Sequence, residues 1–182
     1  MSFFNKLIGK NADIAKEGIL LRGLVVYDSK TGNTEKMALA IGQGMQENGV
    51  ETRVKRVEKT SMNDLIESHV IVLGSPTYFA NMSTKMKDFI DKTIKIYPDR
   101  LADKAGASFT ACDGVGGDIA VLNFTQAMFM HRMVIIGPES GGFGIVQVGN
   151  TDDRCIADCQ AFGNRIGAFT IALEAGKEKI QP

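Results

Sequence analysis

The 182-residue chain lacks an excess of charge, a long hydrophobic run and a cysteine framework. Its 21 basic side chains balance 21 acidic ones, so no overall field would attract nucleic acid or an anionic membrane. The longest apolar runs, Gly18 to Leu21 and Met133 to Gly137, are far shorter than the roughly 20 residues of a membrane-spanning helix. No signal peptide is recognisable at the N-terminus. We therefore expect no nucleic-acid partner, no membrane span and a cytoplasmic protein.

The cysteines are few and odd in number. A count of three, at Cys112, Cys155 and Cys159, argues against a disulfide framework and for reduced thiols. Cys155 and Cys159 lie four residues apart, which on a helix places both thiols on one face. No Cys-x-x-Cys motif or nearby histidine completes a metal site. The sequence therefore predicts no bound metal and two thiols that face the core.

Short apolar runs alternate with segments of helical periodicity along the whole chain. The predicted strands are Leu24 to Tyr27, Val50 to Val57, His69 to Gly74, Ala105 to Ala111 and Met133 to Gly137. The predicted helices are Thr34 to Met45, Asn63 to Ser68, Ser83 to Ile94, Asp118 to Arg132 and Asp152 to Glu174. This alternation predicts an α/β fold with a doubly wound parallel sheet, whose ligands bind beyond the carboxyl ends of the strands.

The loop after the first predicted strand has the composition of an anion-binding turn. It reads Ser29, Lys30, Thr31, Gly32, Asn33 and Thr34. Gly32 allows a tight turn, and the following helix N-terminus adds roughly half a positive charge. The loop is neither a Walker motif nor a Gly-x-Gly-x-x-Gly turn. From these residues alone two interpretations stay open, a phosphate site and simple capping of the helix by Thr31 and Asn33.

Two further loops should meet the first at the carboxyl edge of the sheet. In one, Pro76 fixes a turn that presents Tyr78 and Phe79, whose flat rings can stack on a flavin. Taken alone, such an aromatic pair more often packs in a core, but its place beside an anion-binding loop favours a cofactor. The other loop, Cys112 to Asp118, contains three glycines, so its amides can approach a ligand closely.

The pattern Ser-x-Thr-Gly-x-Thr after the first strand resembles the phosphate signature of the flavodoxins. The resemblance implies bound flavin mononucleotide (FMN) and a five-stranded parallel sheet in the order 2-1-3-4-5 over residues 23–174. Ser29, Thr31, Asn33 and Thr34 would hold the phosphate, with Lys30 at a variable position. Residues 1–22 would be an N-terminal extension with helical spacing, and residues 175–182 a C-terminal tail.

The segment Gly74 to Ser83 resembles the ring-binding loop of flavodoxin-like NAD(P)H:quinone oxidoreductases, the tryptophan-repressor-binding-protein group. By that likeness Thr77, Tyr78, Phe79 and Asn81 would contact the isoalloxazine ring. Tyr78 stands where the group has arginine, and Ala80 where it has glycine. The ring contact is therefore expected to persist, while reductase specificity is left open.

The glycine-rich third loop resembles the Gly-Gly loop of the same reductases. Cys112 and Asp113 stand where threonine and glycine are typical there. Amides of this loop would stabilise the reduced, anionic edge of a flavin. His131 precedes the fifth predicted strand, where the group also carries a histidine, and both a flavin or substrate contact and a structural role are open for it. The predicted cofactor contacts in these two loops are Pro76, Thr77, Tyr78, Phe79, Asn81, Cys112, Asp113, Gly114, Gly116 and Gly117.

Three functions follow from these features. The chain is a carrier that passes electrons between partner proteins, an enzyme that takes hydride from NAD(P)H and reduces FMN or a small quinone-like acceptor, or an interaction module without cofactor. The balanced charge favours the enzyme, because small carriers usually dock through a patch of one sign. The absence of tryptophan and the presence of Tyr78 leave the acceptor pocket undefined. The N-terminal extension is expected to pack on the domain or on a second subunit, so a homo-oligomer is left open.

Overall fold

The computed structural model describes residues 20–180, and the side chains of residues 20–177. The helix predicted in the N-terminal extension lies outside the described residues. The strands are β1 (Arg22–Tyr27), β2 (Glu51–Arg56), β3 (Val70–Pro76), β4 (Ala105–Cys112), β5 (Val134–Ile135) and β6 (Ile145–Val148). The α-helices are α1 (Asn33–Glu47), α2 (Met62–Glu67), α3 (Thr84–Lys92), α4 (Gly117–Met130) and α5 (Asp153–Ile180). Short 3-10 turns follow β2 and α3, at Val57–Lys59 and Thr93–Ile96.

The strands form a parallel sheet in the order β2-β1-β3-β4-β5, which confirms the predicted α/β topology. One row crosses most of the sheet, since Gly23 pairs with Val70, Val70 with Ala105, and Ala105 with Val134. The two central strands β3 and β4 are buried along nearly their whole length, as a strand covered by helices on both faces must be. Because all strands are parallel, the loops that follow them all lie at the carboxyl edge of the sheet.

The fifth strand differs from the prediction of one run over Met133 to Gly137. β5 pairs only with Ala105 and Gly106, and β6 pairs with Phe109 to Cys112 farther along β4. The chain leaves the sheet in between because Pro138 has no N–H to donate, and Gly141 and Gly142 adopt left-handed φ values of 90° and 94°. The fifth strand position is thus shared by the two short strands β5 and β6. The second of them, β6, leads the chain to the carboxyl edge of the sheet.

Helices α1 and α5 cover one face of the sheet, and α2, α3 and α4 cover the other. Cys155 and Cys159 are buried between α5 and the sheet, with their Sγ atoms 4.0 Å apart. This confirms the prediction that both thiols face the core. Helix α5 continues beyond Glu174, the predicted end, to Ile180. Among the described helices, none is long and apolar enough to cross a membrane.

Asp64 joins α2 to β2 and should make the fold sensitive to acid. Its carboxylate accepts from Lys55 Nζ at 2.7 Å and from the Ser61 N–H at 2.8 Å. Burial opposes ionisation, but these hydrogen bonds outweigh it and lower the pKa of Asp64 to about 2. A depressed pKa stabilises the fold above the ordinary value of 3.8, and this stabilisation is lost as the pH falls towards 2. We expect Asp64→Asn to lower the free energy of unfolding by about 2 kcal/mol at pH 7.

Urea titrations of both proteins across acidic pH would check this expectation. The gap between variant and wild type should shrink as the pH approaches 2. A gap that is the same at every pH would contradict the role assigned to the ionised carboxylate.

Candidate functional site

The first loop turns sharply into α1 and leaves the start of this helix without a side-chain cap. Gly32 has a left-handed φ of 94°, and its N–H donates to Ser29 Oγ at 3.1 Å. Within the described part of the chain, no side chain accepts from the first amides of α1. Thr31 is exposed, whereas Ser29 and Thr34 are buried. The simple capping of this helix by Thr31 and Asn33 is therefore wrong, and the N–H groups and dipole of α1 remain directed at the loop.

Arg56 lies against this loop, and the sequence reasoning missed it. The parallel register sets Arg56 beside Tyr27, at the carboxyl ends of β2 and β1. Its Nη2 donates to the Ser29 carbonyl at 2.6 Å, and its Nη1 lies 3.6 Å from Glu35. A guanidinium therefore fixes the loop backbone and adds positive charge next to it. Aligning the ends of the first two predicted strands pairs Tyr27 with Val57, one position beyond its actual partner Arg56, and so points to this part of β2.

Tyr27 belongs to the same cluster. Burial, followed by a 2.5 Å hydrogen bond from its hydroxyl to Glu35, raises the pKa of Tyr27 to about 12. The phenol therefore stays protonated at neutral pH and keeps donating to the carboxylate. Glu35 is thereby held at the base of α1, between Tyr27 and Arg56.

The second loop is a tight two-residue hairpin that projects its aromatic residues outward. The N–H of Tyr78 donates to Asn81 O at 2.8 Å, and the N–H of Asn81 donates back at 3.0 Å. Phe79 and Ala80, between them, have left-handed φ values of 48° and 59°. Phe79 is fully exposed and Tyr78 is 46% exposed, so the pair does not pack in the core. Left-handed non-glycine residues are strained and concentrate at functional sites.

Threonine hydroxyls and backbone groups tie the second loop to the third. Thr77 N–H donates to Ala111 O at 2.9 Å, and its Oγ1 lies 2.7 Å from Thr110 Oγ1. Gly116, at a φ of 90°, packs so closely on Ala80 that an added Cβ would lie 2.8 Å from the Ala80 Cα. The two loops therefore form one wall, and Gly116 is required for their contact.

The third loop leads into a second helix N-terminus without a side-chain cap. The start of α4 at Gly117 lacks a side-chain acceptor among the described residues. Cys112 is buried, with its Sγ 3.6 Å from Gly114 O, whereas Asp113 and Gly114 are exposed. Amides of this loop are thus presented at the same edge as those of α1.

A fourth segment, residues 149–152, joins the first loop to the third. Gly149 N–H donates to Cys112 O at 2.8 Å. Thr151 donates from its N–H to Asn33 Oδ1 and from its hydroxyl to Asn33 O, both at 3.2 Å. The Asn33 side-chain oxygen is thereby committed to Thr151. The sequence reasoning missed this segment because it did not predict β6, although the polar run Asn150-Thr151-Asp152 before a helix was a usable signal.

The comparisons with known proteins agree with this architecture. Residues 25–127, more than half of the chain, match the flavodoxin family. The chain belongs to the flavodoxin family. A flavodoxin of Clostridium saccharobutylicum is 30% identical over 151 residues, covering 78% of this chain and 92% of its own length. An NAD(P)H dehydrogenase (quinone) of Archaeoglobus fulgidus is 34% identical over 146 residues, covering 65% of this chain and 76% of its own.

A solved structure of a flavodoxin from the domain Archaea superposes with a TM-score of 0.73 at 26% identity. It covers 82% of this chain and 99% of its own. These relatives confirm the predicted flavodoxin-like fold and the prediction of an FMN-dependent redox protein.

His131 lies outside the cluster of loops at the carboxyl edge of the sheet. It ends α4 just before β5, and β5 pairs with the amino-terminal residues of β4, so His131 lies at the opposite edge of the sheet. Its Nε2 is 2.7 Å from Thr93 Oγ1, and its ring meets Tyr97 edge to face at 5.7 Å between centroids. Burial lowers the pKa of His131. Within one chain this geometry contradicts the suggested flavin or substrate contact and favours a structural role.

Proposed function

We propose that this protein binds FMN at the carboxyl edge of its sheet and carries electrons one at a time between partner proteins. The observation that carries the proposal is the combination of an uncapped α1 N-terminus with an exposed aromatic hairpin on the same edge. The first suits a phosphate and the second a flat ring. FMN, when bound, supplies the redox chemistry.

The phosphate end is assigned to the first loop. The amides at the start of α1 donate to the phosphate, and Gly32 supplies the left-handed turn that directs them inward. The hydroxyls of Ser29, Thr31 and Thr34 add donors. Lys30, in the same loop, is exposed to solvent. Arg56 acts as a positioning residue, since its guanidinium holds the Ser29 carbonyl and biases the local charge towards an anion.

The ring end is assigned to the second and third loops. Tyr78 and Phe79 would flank the isoalloxazine, with Pro76, Thr77 and Asn81 shaping the hairpin that carries them. The amides of Gly114, Gly116 and Gly117 would donate to the pyrimidine edge, together with those of Cys112 and Asp113. Thr77 supports the assignment because it anchors the hairpin to β4, which fixes the spacing between the two loops.

The exposed apolar side chains of the second and third loops favour a carrier over an enzyme. Phe79 and Val115 are almost completely exposed, at 105% and 94%, and they stand on adjacent loops. Exposed apolar side chains of this kind suit a transient protein contact.

Reduction of a quinone-like acceptor or of FMN at the expense of NAD(P)H is the second candidate function. It is favoured by the Gly74 to Ser83 segment and by the 34% identity to the Archaeoglobus NAD(P)H dehydrogenase (quinone). In that case the exposed surface around Phe79 and Val115 would receive the small acceptor.

Two measurements separate these functions. Purified protein incubated with excess FMN and then desalted should retain the flavin absorbance bands, and their absence would favour the cofactor-free module. NAD(P)H oxidation is then followed with benzoquinone and, separately, with a one-electron acceptor protein or dye. We expect negligible quinone turnover and rapid electron exchange of the chemically reduced protein with the one-electron acceptor. Fast NAD(P)H-dependent quinone turnover would establish the reductase.

The assignment of the phosphate end has its own test. The double variant Thr31→Ala with Thr34→Ala should lose FMN on desalting far more readily than Cys155→Ala with Cys159→Ala. Both pairs remove small polar atoms, but only the first pair lies in the loop. Equal FMN retention in the two variants would overturn the assignment.

A further inference from the structure

An apolar groove runs along the sheet edge opposite the FMN loops. It has a volume of about 430 Å³ and lies between β5 and the C-terminal half of α5. Val134, Ile135 and Ile136 form one wall, and Phe169, Ala172 and Leu173 line the other, together with one charged residue, Arg165. Val134 is 44% exposed on the last strand of the sheet. A hydrophobic sheet edge of this kind is usually covered in native proteins.

The described chain begins near this groove. Gly23, Val70, Ala105 and Val134 pair in one continuous row across the sheet, so the start of β1 and the groove lie at the same end of the molecule. Three strand spacings separate the start of β1 from Val134, which is roughly 14 Å. Leu20, three residues before the row, is 60% exposed.

The residues before Leu20 have an amphipathic sequence. At about 100° per residue in a helix, most of the apolar residues of the segment 3–15 fall within one stripe about 140° wide, with Ala12 outside it, and the charged residues also fall outside the stripe. The apolar stripe holds Phe3, Phe4, Leu7, Ile8, Ile14 and Ala15, with Asn11 as its polar member. The remaining part of the circumference holds Lys6, Lys10, Asp13, Lys16 and Glu17, with Lys10 next to the edge of the stripe.

We propose that residues 3–15 form an amphipathic helix that docks in the groove between β5 and α5 of the same chain. Such a helix would be about 20 Å long. The connecting residues 16–21 can extend over roughly 20 Å, which is more than the distance across the sheet. The apolar stripe would cover Val134 and its neighbours, and the charged side would face solvent.

Docking within one chain is favoured over pairing with a second copy. A short tether gives a local concentration in the millimolar range, which a second molecule reaches only at very high protein concentration. The proposal is independent of FMN binding, because the groove is at the edge away from the loops.

Limited trypsin digestion of the full chain tests the docking. Lys6 and Lys10 are the cleavage sites within residues 3–15, whereas Lys16 lies in the connecting residues, so only cleavage after Lys6 and Lys10 reports on docking. The peptides that are released are identified by mass spectrometry. We expect slow cleavage in the wild type and cleavage at least about 10-fold faster in Val134→Glu, which places a charge in the groove. Ile94→Glu is the matched control, because Ile94 is 70% exposed on the other face, and it should cleave like the wild type.

A second pair of variants tests the segment itself. Phe4→Ser removes a residue of the apolar stripe and should speed cleavage, whereas Asn5→Ser alters the opposite side and should not. Circular dichroism checks that all variants fold. Rapid cleavage of the wild type, or no difference between Val134→Glu and Ile94→Glu, would overturn the proposal. Protection that rises with protein concentration, together with dimers in sedimentation velocity, would replace it with docking on a second copy.

Discussion

Thr31→Asp should weaken FMN binding by at least about 100-fold while leaving the apoprotein at least as stable as the wild type. The new carboxylate would lie at the uncapped start of α1, where it competes with the dianionic phosphate of FMN for the same N–H groups. Two like charges about 4 Å apart at a protein surface repel by up to roughly 4 kcal/mol. The same carboxylate interacts favourably with the dipole of α1 when no phosphate is bound.

Titration of FMN fluorescence gives the affinity, and thermal unfolding of the apoprotein gives the stability. Thr31→Asn keeps the shape without the charge and should lose much less affinity. Asn63→Asp adds the same charge to the first turn of α2, which Ser61 already caps, and should not affect FMN. If Thr31→Asp and Asn63→Asp weakened binding equally, net charge rather than the loop would govern the affinity.

Gly163→Ala should lower the free energy of unfolding by about 3 kcal/mol or more. Helices α1 and α5 touch through their backbones at this position. A Cβ added to Gly163 would lie 2.1 Å from the Ile41 carbonyl oxygen, and one added to Gly44 would lie 2.1 Å from the Gln160 carbonyl oxygen. Both obstacles are backbone atoms, so the helices would have to separate. Urea unfolding at a fixed FMN concentration, followed by far-UV circular dichroism, measures the loss.

Gly176→Ala is the matched control, because Gly176 lies in the same helix and nothing would lie within 4 Å of its added Cβ. It should stabilise the protein by roughly 0.5–1 kcal/mol, the difference in helix propensity between alanine and glycine. If the two substitutions had the same sign, close backbone packing of α1 on α5 would not be the reason that glycine is needed at 163.

The sequence predicted most of the fold because the buried strands and the amphipathic helices repeat at regular spacing. The run around Val72 is almost entirely apolar, and the run around Ala107 consists mainly of small residues, which suits strands covered on both faces. The divided fifth strand could not be predicted in this way. Ile145 to Val148 is short and only half-buried, so its pattern is weak, and the long detour before it hides its pairing with β4.

The candidate site was predictable where local sequence determines the geometry. Gly32 and Gly116 produce their turns through the left-handed φ values that glycine favours, and the loops that contain them were recognised. The prediction that Pro76 fixes the turn of the second loop is wrong, because Pro76 ends β3 and the turn forms at Phe79 and Ala80. Arg56 reaches the first loop because the parallel register of β1 and β2 places it beside Tyr27. Thr151 contacts Asn33 across 118 residues of sequence. Both are tertiary contacts, which local sequence does not reveal. For His131, by contrast, local sequence was misleading. Its likeness to a reductase histidine suggested a flavin contact, but α4 places His131 at the opposite edge of the sheet within one chain, beside Thr93.

The contact of Thr151 with Asn33 also has a consequence for biosynthesis. The loop that starts α1 is synthesised early, but Thr151, which holds it, comes 118 residues after Asn33. Until residues 149–152 have been synthesised and have folded, the loop lacks this support. We therefore expect firm retention of FMN only in chains long enough to include this segment and folded far enough to bring it onto the loop.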